Sequence, residues 1–337
     1  MKVSDPVKIL RTVTSVLSML TFLISPFGKA DASDRSARIV RVFILAGQSN
    51  MQGQGFVDLD HPKYYNGGRG TLIWSMKHGR SREQMKHLQT PDQQWTTRDD
   101  VVVRYQTEQG LKRGPLTIGF TGYGGSHHIG PELQFGHVLG DYSKDPVLLI
   151  KTCWGGKSLH RDFRPPSSGG ETGKYYGLML EEIETALSHM QEDFPHLQGH
   201  HPEISGFVWL QGWNDMIDQQ ARAEYDRNLQ NLANDLRSTL KSPRLPIVVG
   251  ELGNGGEAKP DSSMQQFRDQ QRKGTKAISA ARFVPTAQFA RPAELSPNTG
   301  HGHHWFGNAE SYFLIGDALG KAMVSLLTLE QDQPTPR

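Results

Sequence analysis

Cysteine is almost absent from this sequence of 337 residues, which contains only Cys153. A single thiol excludes a disulfide within the chain and any zinc or iron–sulfur site built from several cysteines. An excess of charge of one sign is missing too, because 37 lysines and arginines against 35 aspartates and glutamates leave a formal net charge of +2. No block of one sign stands out, so we expect no nucleic-acid partner bound through phosphate attraction.

The first 32 residues have the composition of a secretory signal sequence. Lys2, Lys8 and Arg11 give a positive start, and a mostly apolar stretch over residues 13–27 precedes a small-x-small tripeptide that ends at Ala32. The stretch of about 15 residues is shorter than the ~20 of a membrane-spanning helix. We therefore predict cleavage near Ala32, export to the periplasm or the extracellular space, and no stable membrane insertion after cleavage. The alternative is an uncleaved N-terminal anchor.

Apolar runs rich in β-branched residues recur along the rest of the chain and predict five buried strands. None of these runs alternates cleanly between apolar and polar residues, which is typical of strands covered on both faces in a parallel sheet. Segments with helical spacing lie between several of them. The pattern predicts an α/β domain over residues 33–327, a three-layer sandwich around a mostly parallel five-stranded sheet. The five runs are Ile39–Ala46, Val147–Thr152, Ile204–Leu210, Leu245–Glu251 and Arg282–Thr286.

Two segments fall outside this pattern. Residues 51–130 are rich in Gly, Gln, His and Arg and contain two strand-like runs, Val101–Tyr105 and Leu116–Phe120. In an α/β fold an insertion after the first strand lies at the carboxyl edge of the sheet, where ligands bind, so it forms either a lid or a plain layer of loops. Residues 328–337 are polar with two prolines and are predicted to form a flexible tail.

A serine follows the first predicted strand, within Gly47-Gln48-Ser49-Asn50-Met51. At a sharp strand-to-loop transition a serine can project its hydroxyl into solvent, and its backbone amide can face a developing oxyanion. The segment is not the G-x-S-x-G elbow of α/β-hydrolases, because position 51 is Met. Ser49 is therefore a candidate nucleophile whose case depends on the other strand ends.

The ends of two further predicted strands and one late loop carry groups that acyl transfer needs. Gly155 and Gly156 follow the second strand, and paired glycines leave backbone N–H groups free for an anion. Asn214 follows the third strand, and its side-chain amide can donate to the same oxyanion. The histidine cluster from His301 to His304 precedes the last predicted helix, and a histidine there can act as general base.

In this order the serine block, the paired glycines, Gly212-x-Asn214-Asp215 and a late histidine resemble the sequence blocks of the SGNH hydrolases. The greatest likeness is to the branch that holds sialate O-acetylesterases and family 6 carbohydrate acetylesterases, and it extends over residues 39–325. The resemblance implies a sheet of the SGNH, flavodoxin-like type. It also implies a serine esterase that removes O-acetyl groups from a carbohydrate through an acetyl-serine intermediate, with an acetylated polysaccharide or sialic acid as its substrate partner.

The resemblance assigns roles to individual residues. Ser49 is implied as the nucleophile, and His304 as the base that takes its proton and later protonates the leaving alcohol. No metal and no organic cofactor is implied, since acyl transfer through an acetyl-serine needs neither. The residues expected to bind the oxyanion or the substrate are Gly155, Gly156, Gln211 and Asn214, together with the backbone amide of Ser49.

Two positions depart from the family's pattern and leave the acid of the catalytic triad open. The aspartate that the family places three residues before its catalytic histidine is His301 here, and the glutamate of a Gln-Gly-Glu block is Trp213. Asp215 is the tentative substitute. Glu251, Glu310 and a Ser–His dyad oriented by a backbone carbonyl are the alternatives.

Other functions fit parts of the same sequence. An extracellular carbohydrate-binding protein without catalysis would keep the tryptophans at the strand ends, whose rings can stack on sugars. An aryl esterase or thioesterase on the same scaffold is the nearest enzymatic alternative. The 14 histidines offer metal ligands, yet neither an H-E-x-x-H helix nor an H-x-H paired with a strand aspartate is present, so no metal site is predicted.

Overall fold

The computed structural model describes residues 38–331, and the side chains of residues 38–329. The predicted signal sequence and its cleavage site near Ala32 lie outside the described residues, as do residues 332–337 of the predicted tail. All the residues that the sequence nominates for catalysis, from Ser49 to His304, lie inside the described range.

The described residues form nine strands and nine α-helices. The strands are β1 (Ile39–Gly47), β2 (Gly55–Phe56), β3 (Arg98–Thr107), β4 (Gly110–Leu116), β5 (His128–Ile129), β6 (Val147–Cys153), β7 (His201–Leu210), β8 (Ile247–Gly250) and β9 (Ala281–Val284). The helices are α1 (Ser49–Gln52), α2 (Leu72–His78), α3 (Glu132–Tyr142), α4 (Lys174–Ser188), α5 (Met190–Asp193), α6 (Trp213–Ile217), α7 (Gln219–Thr239), α8 (Ser263–Lys276) and α9 (Ala309–Gln331).

Seven of the strands form one sheet in the spatial order β4-β3-β6-β1-β7-β8-β9. Neighbouring strands run parallel except β3 and β4, an antiparallel pair at one edge. Near the middle of the sheet, Gly47 of β1 is level with Cys153 at the end of β6 and with Leu210 at the end of β7. The loops after these three strands therefore leave the sheet side by side at its carboxyl edge, where α/β folds bind ligands.

The α/β class predicted from the sequence is confirmed, and the number of strands in the main sheet is corrected from five to seven. All five predicted strands are present, with bounds shifted by a few residues, and the two others, β3 and β4, come from the insertion at 51–130. β3 buries Val101, Val103 and Tyr105. The strand-like run predicted over Leu116–Phe120 is not a strand beyond Leu116, where β4 ends. β4 itself is a mostly exposed edge strand that contains a proline and charged residues, so its sequence lacks a strand pattern.

Helices cover both faces of the sheet and complete the three layers. On one face α3 and α9 pack against Phe43 and Leu149. On the other face α4, α7 and α8 pack with Ile44 and Trp209 in a second core. Successive residues of β1 thus point to opposite faces and are buried on both, as strands inside a parallel sheet require. Fully burying one such side chain contributes about 1.5–3 kcal/mol.

The last helix begins after Asn308, whose side-chain Oδ1 accepts a hydrogen bond from the backbone N–H of Ser311 at 3.2 Å. Asparagine is a favourable N-cap because it satisfies one of the free N–H groups of the first turn. α9 then continues to Gln331, inside the segment predicted as a flexible tail. The helix can extend this far because the first proline of that segment is Pro334.

By length and composition alone, the stretch Ala309–Leu329 of α9 is long and apolar enough to cross a membrane. Ile315, Leu319 and Met323 are completely buried in the core that α9 shares with the sheet and α3. The apolar side chains of α9 therefore supply much of the core on this face of the sheet.

β2 and β5 form a separate antiparallel sheet in which Gly55 lies opposite Ile129. This pairing joins the two ends of the insertion, so that the insertion starts and finishes beside α1. The turn Gly302–Gly307 contacts β2 from the other side. The serine block, the ends of the insertion and the histidine loop thus meet at one edge of the main sheet.

Candidate active site

Ser49 is the first residue of α1, a single helical turn. Only Gln48 separates it from the end of β1. Gly47 makes this sharp turn possible: its φ is 149°, and a Cβ there would overlap the backbone carbonyl of Leu210 on the next strand. Ser49 is 8% exposed. Its carbonyl oxygen accepts hydrogen bonds from the backbone N–H of Gly53 at 3.1 Å and from the side chain of Gln54 at 3.2 Å, which fixes the turn that carries the hydroxyl.

The hydroxyl of Ser49 lies 3.0 Å from Nε2 of His304, a residue 255 positions later in the chain. This distance is within the range for proton transfer from a nucleophile to a general base. Burial, together with the neighbouring charges of His303 and His301, lowers the pKa of His304 to about 4. The imidazole is therefore neutral at neutral pH and can accept the serine proton.

Asn50 ties the histidine loop to the serine turn. Its side-chain nitrogen donates to the carbonyl oxygen of His303 at 3.1 Å. The hydroxyl of Tyr312 on α9 lies 2.6 Å from Oδ1 of Asn50 and 3.3 Å from the carbonyl oxygen of His304. This buried network of hydrogen bonds therefore positions the backbone of the histidine loop relative to the serine turn. Sequence reasoning did not assign Asn50 a role, although it belongs to the motif around Ser49.

The backbone directly after His304 is held in an unusual conformation. Trp305 and Phe306 both have φ of 54°, in the left-handed region that residues with a Cβ seldom adopt. Such a conformation costs on the order of 1–3 kcal/mol for each residue and persists where the surroundings impose it. The nearly complete burial of Trp305 stabilises it here.

Of the two glycines after β6, Gly155 lies close to Ser49. The backbone N–H of the preceding Trp154 donates to the carbonyl of Gly47 at 3.1 Å, which keeps the loop against the end of β1. A Cβ on Gly155 would lie 3.8 Å from Cβ of Ser49, and Gly156 has φ of 68°. Among the described residues the N–H groups of Gly155 and Gly156 have no acceptor, so both remain available as donors to an anion.

Gln48 positions Asn214. Its side-chain oxygen accepts from the backbone N–H groups of Gly212 and Trp213 at 3.0 and 3.1 Å, at the start of α6. Its side-chain nitrogen lies 3.4 Å from Oδ1 of Asn214. Because the oxygen of Asn214 faces a donor, its amide nitrogen remains available to donate elsewhere. The role of Gln48 was also missed from the sequence, where only its place before Ser49 hinted at it.

Gln211, which the sequence nominates for oxyanion or substrate binding, faces the protein interior instead. It is 2% exposed. Its amide nitrogen donates to Oδ2 of Asp215 at 2.6 Å and to the carbonyl of Lys157 at 3.0 Å, and its oxygen accepts from the hydroxyl of Tyr225. These bonds connect the loop after β6 with α6 and α7, so Gln211 has a supporting role in the protein interior.

Asp215, the tentative acid, makes its hydrogen bonds away from the histidine. Its carboxylate accepts from the backbone N–H groups of Leu159 and His160 at 2.9 and 2.8 Å and from Gln211. It is completely buried, and burial raises its pKa to about 6 although these hydrogen bonds counteract the rise. Asp215 therefore holds the loop after the paired glycines, and the expected contact with His304 is not found among the described residues.

The two alternative acids are also engaged elsewhere. Glu251 accepts from the backbone N–H groups of Thr286 and Ala287 at 2.9 and 3.0 Å. Glu310 accepts from the N–H of Ser81 and from the guanidinium of Arg291. Within residues 38–329, no carboxylate is hydrogen-bonded to the catalytic candidate histidine. His301, which occupies the family's aspartate position, lies with Nδ1 2.6 Å from the side-chain nitrogen of Asn298.

The buried ion pair between Lys151 and Glu132 stabilises the turn that carries Ser49. Nζ of Lys151 on β6 donates to Glu132 at 2.7 Å, to the carbonyl of Gln52 at 3.1 Å and to the carbonyl of Phe120 at 2.7 Å. Both charged side chains are 0% exposed. Because one ammonium group satisfies three acceptors, it connects α1, α3 and the insertion at a single point.

The remaining candidates for chemistry are less favourable. Cys153 is buried, and burial raises the pKa of its thiol to about 11, so the thiolate is scarce at neutral pH. The described part of the chain contains no group of three or more His, Cys, Asp or Glu side chains arranged to hold a metal ion. The contact between Ser49 and His304 is the arrangement with the clearest chemistry.

Comparison with known proteins adds a family to this geometry. A family model described as carbohydrate esterase, sialic acid-specific acetylesterase, matches residues 39–325. A probable carbohydrate esterase from Arabidopsis thaliana is 22% identical over 218 residues, which make up 64% of this chain and 70% of the relative. The family match includes both Ser49 and His304, and it supports the branch of the SGNH hydrolases that the sequence blocks indicated.

Solved structures share the fold. A protein from Arabidopsis thaliana superposes with a TM-score of 0.55 at 17% identity, and the match covers 86% of this chain and 98% of that one. NanS superposes with a TM-score of 0.52 at 14% identity, covering 88% of this chain and 99% of its own. At such low identity the likeness concerns the fold, and it agrees with the SGNH-type sheet expected from the sequence.

Proposed function

Because the chain belongs to the carbohydrate esterase, sialic acid-specific acetylesterase family, we propose that it removes O-acetyl groups from a carbohydrate by nucleophilic attack of Ser49. The observation that carries the proposal is the distance of 3.0 Å between Oγ of Ser49 and Nε2 of His304. A neutral histidine at this distance activates a serine in the way that acyl transfer requires.

The reaction follows in two halves. Nε2 of His304 takes the hydroxyl proton while Oγ of Ser49 bonds to the acetyl carbon, which gives a tetrahedral oxyanion. Its collapse breaks the bond to the sugar oxygen, and His304 returns the proton to that oxygen, so the sugar leaves with a free hydroxyl. A water molecule then attacks the acetyl-serine, His304 accepts its proton and passes it to Ser49, and acetate departs.

Three kinds of donor surround the place where the oxyanion forms. These are the backbone N–H of Ser49, an N–H of Gly155 or Gly156, and the side-chain amide of Asn214, which Gln48 orients. Donors that are fixed before the reaction stabilise developing charge without reorganisation, and each contributes about 3 kcal/mol to transition-state binding.

We further propose that Ser49 and His304 act as a dyad. Asp215, Glu251 and Glu310 all have other partners, so the histidine ring is positioned by its loop and by the rings of its neighbours. His303 lies with its ring centroid 4.1 Å from that of His304. A dyad without a carboxylate stabilises the imidazolium less than a triad does, which agrees in direction with the lowered pKa of His304.

Hydrolysis of p-nitrophenyl acetate by the purified protein tests the dyad, with Ser49→Ala and His304→Ala beside it and EDTA in a parallel arm. Activity that survives EDTA and is lost in both variants supports the proposal. Activity that only EDTA removes contradicts it. Mass spectrometry after rapid acid quench then checks for one added acetyl group on the peptide with Ser49, and acetylation of another residue overturns the assigned nucleophile.

The substrate class is tested on the same protein. Release of acetate from acetylated xylan and from O-acetylated sialic acid is compared with release from ethyl acetate. A catalytic efficiency at least tenfold higher on one of the sugar esters supports a carbohydrate acetylesterase. Preference for an aryl ester or a thioester instead supports one of the alternative enzymes on this scaffold.

Export is proposed on the sequence of residues 1–32. Expression of the full chain in a bacterial host, fractionation of the cells and N-terminal sequencing of the product check it. A start near Ser33 outside the cytoplasm is expected, whereas an intact N-terminus in the membrane fraction supports an uncleaved anchor.

A further inference from the structure

Three rings form a column beside the site, which we call the aromatic ladder: Tyr123, His128 and Phe56. The rings of Tyr123 and His128 are stacked, with centroids 4.3 Å apart and planes at 22°. The rings of His128 and Phe56 follow at 4.8 Å and 47°. Phe56 packs on Gly307, where a Cβ would overlap the ring. The ladder therefore ends on the loop that carries His304.

Hydrogen bonds fix Tyr123 at its hydroxyl and at its backbone carbonyl. Its hydroxyl donates to the side-chain oxygen of Gln54, and the nitrogen of the same side chain donates to the carbonyl of Ser49 at 3.2 Å. The carbonyl of Tyr123 accepts from Nζ of Lys112, which also bonds the carbonyl of Gly119 at 2.8 Å. The ring is thus fixed before any ligand arrives, and yet Tyr123 is 39% exposed.

Tyr123 lies at the rim of the candidate active site. A Cβ on Gly122 would lie 3.1 Å from Nε2 of Gln52, and a Cβ on Gly155 would lie 3.0 Å from Oε1 of the same side chain. One glutamine therefore separates the loop of Tyr123 from the glycine beside Ser49. The ladder continues to the histidine loop, and His304 is the group that protonates the leaving alcohol, so the sugar departs on this side.

One face of the tyrosine ring is covered, and the exposed part of Tyr123 leaves surface for a ligand. His128 covers the first face, and burial lowers its pKa to about 4, so the covering ring is uncharged at neutral pH. An aromatic ring that is rigid, half-exposed and bordered by hydrogen-bonding groups is suited to the apolar C–H face of a pyranose. The side-chain amide of Gln52 lies between the loop of Tyr123 and Gly155, on the side of the sugar hydroxyls.

We propose that Tyr123 is the platform on which the pyranose ring of the acetylated sugar stacks, so that this residue determines the preference for sugar esters over simple esters. The inference rests on the proposed function, since it names the part of that site which receives the leaving group. Ethyl acetate has no ring to stack, and its hydrolysis depends on the serine, the histidine and the oxyanion donors.

The test compares kcat/KM on per-O-acetylated methyl xylopyranoside and on 9-O-acetylated sialic acid with kcat/KM on ethyl acetate. Tyr123→Leu removes the ring, and Tyr123→Phe keeps it while removing the bond to Gln54. Tyr142→Leu is the matched control, a tyrosine at the opposite edge of the sheet beside Lys144 and Asp145. We expect Tyr123→Leu to lower the ratio of sugar to simple ester about five- to tenfold through KM, the size of an aromatic stacking contribution.

The two variants distinguish a role of Tyr123 in binding the sugar from a role in supporting the turn that carries Ser49. Tyr123→Phe is expected to keep the sugar preference within about twofold of the wild type, because it retains the ring. Equal losses on sugar and simple esters in Tyr123→Leu overturn the platform and assign the residue to support of Ser49 through Gln54. A wild-type protein that cleaves ethyl acetate and neither sugar ester contradicts the proposed function itself.

Discussion

The side-chain amide of Asn50 donates to the carbonyl of His303 at 3.1 Å, so the residue after the proposed nucleophile holds the loop that presents the proposed base. In the part of the chain that the structure describes, no carboxylate contacts the imidazole, and this bond together with the hydroxyl of Tyr312 holds the histidine loop beside Ser49. We infer that, in the proposed dyad, the backbone of the histidine loop gives the imidazole the position that an acid gives it in a triad.

Asn50→Ala removes this connection. Because a misplacement of about 1 Å can cost on the order of 100-fold in rate, we expect kcat to fall tenfold or more with little change in KM. Steady-state kinetics on p-nitrophenyl acetate measure the split. Asn231→Ala, which removes an amide bonded to Ser168 on the far face, is the control and should keep wild-type kinetics. An effect confined to KM contradicts a positioning role.

Asn214→Ala removes the proposed side-chain donor to the oxyanion. We expect kcat to fall about 100-fold while KM stays within a few-fold, because the donor acts on the charge that develops in the transition state. The same assay measures both constants. A rise in KM at constant kcat instead assigns Asn214 to ground-state binding of the substrate.

The lowered pKa of His304 predicts the pH profile. The base must be neutral, so kcat/KM should rise with pH through a pKa of about 4 and stay level across neutral pH. His303→Gln removes a repulsive charge and should shift this rise to higher pH, toward the ordinary 6.5. Rates measured from acid to neutral pH check both statements. A wild-type rise centred near 6.5 contradicts the environment described for His304.

A second buried histidine predicts how stability depends on pH. Burial lowers the pKa of His137 to about 4, and its Nε2 has no hydrogen-bond partner within residues 38–329. Between pH 6.5 and 4, His137 is therefore protonated in the unfolded chain and neutral in the folded chain. The free energy of unfolding falls as the pH drops through this interval. His137→Leu should lose less stability over this interval than the wild type. Urea unfolding at several pH values measures it, and parallel curves contradict the prediction.

The buried pair of Lys151 and Glu132 predicts strong coupling. Lys151→Met leaves an uncompensated carboxylate and should lower the free energy of unfolding by about 3–5 kcal/mol. Adding Glu132→Gln should recover a large part of that loss, since the second substitution removes the unpaired charge. Lys321→Met breaks an exposed pair with Asp317 and should change stability by less than about 1 kcal/mol. Denaturant titrations of the wild type, Lys151→Met, Glu132→Gln, the double variant and Lys321→Met test this, and additive effects of the two substitutions in the buried pair contradict the coupling.

The amino-acid sequence by itself determined the fold class and which strand ends carry the candidate site residues. Strands such as Ile39–Gly47 and Val147–Cys153 are continuous apolar runs because both of their faces are buried, and that pattern is legible without a structure. Since parallel strands end at one edge, the polar residues after them were placed together in advance, and Ser49 does meet His304. β4 was not predicted, because an exposed edge strand carries polar residues and lacks a periodicity that distinguishes it from a loop.

Only the tertiary structure decided which polar side chains point toward the reaction and which toward the interior. By position in the sequence Gln211 fits oxyanion or substrate binding and Asp215 fits the catalytic acid, yet both are hydrogen-bonded to buried groups far away in the sequence. Gln48 and Asn50 gained their roles in the same way, through partners more than 100 residues away. A buried polar group must find a partner, and which partner lies within about 3 Å depends on packing that local sequence does not encode.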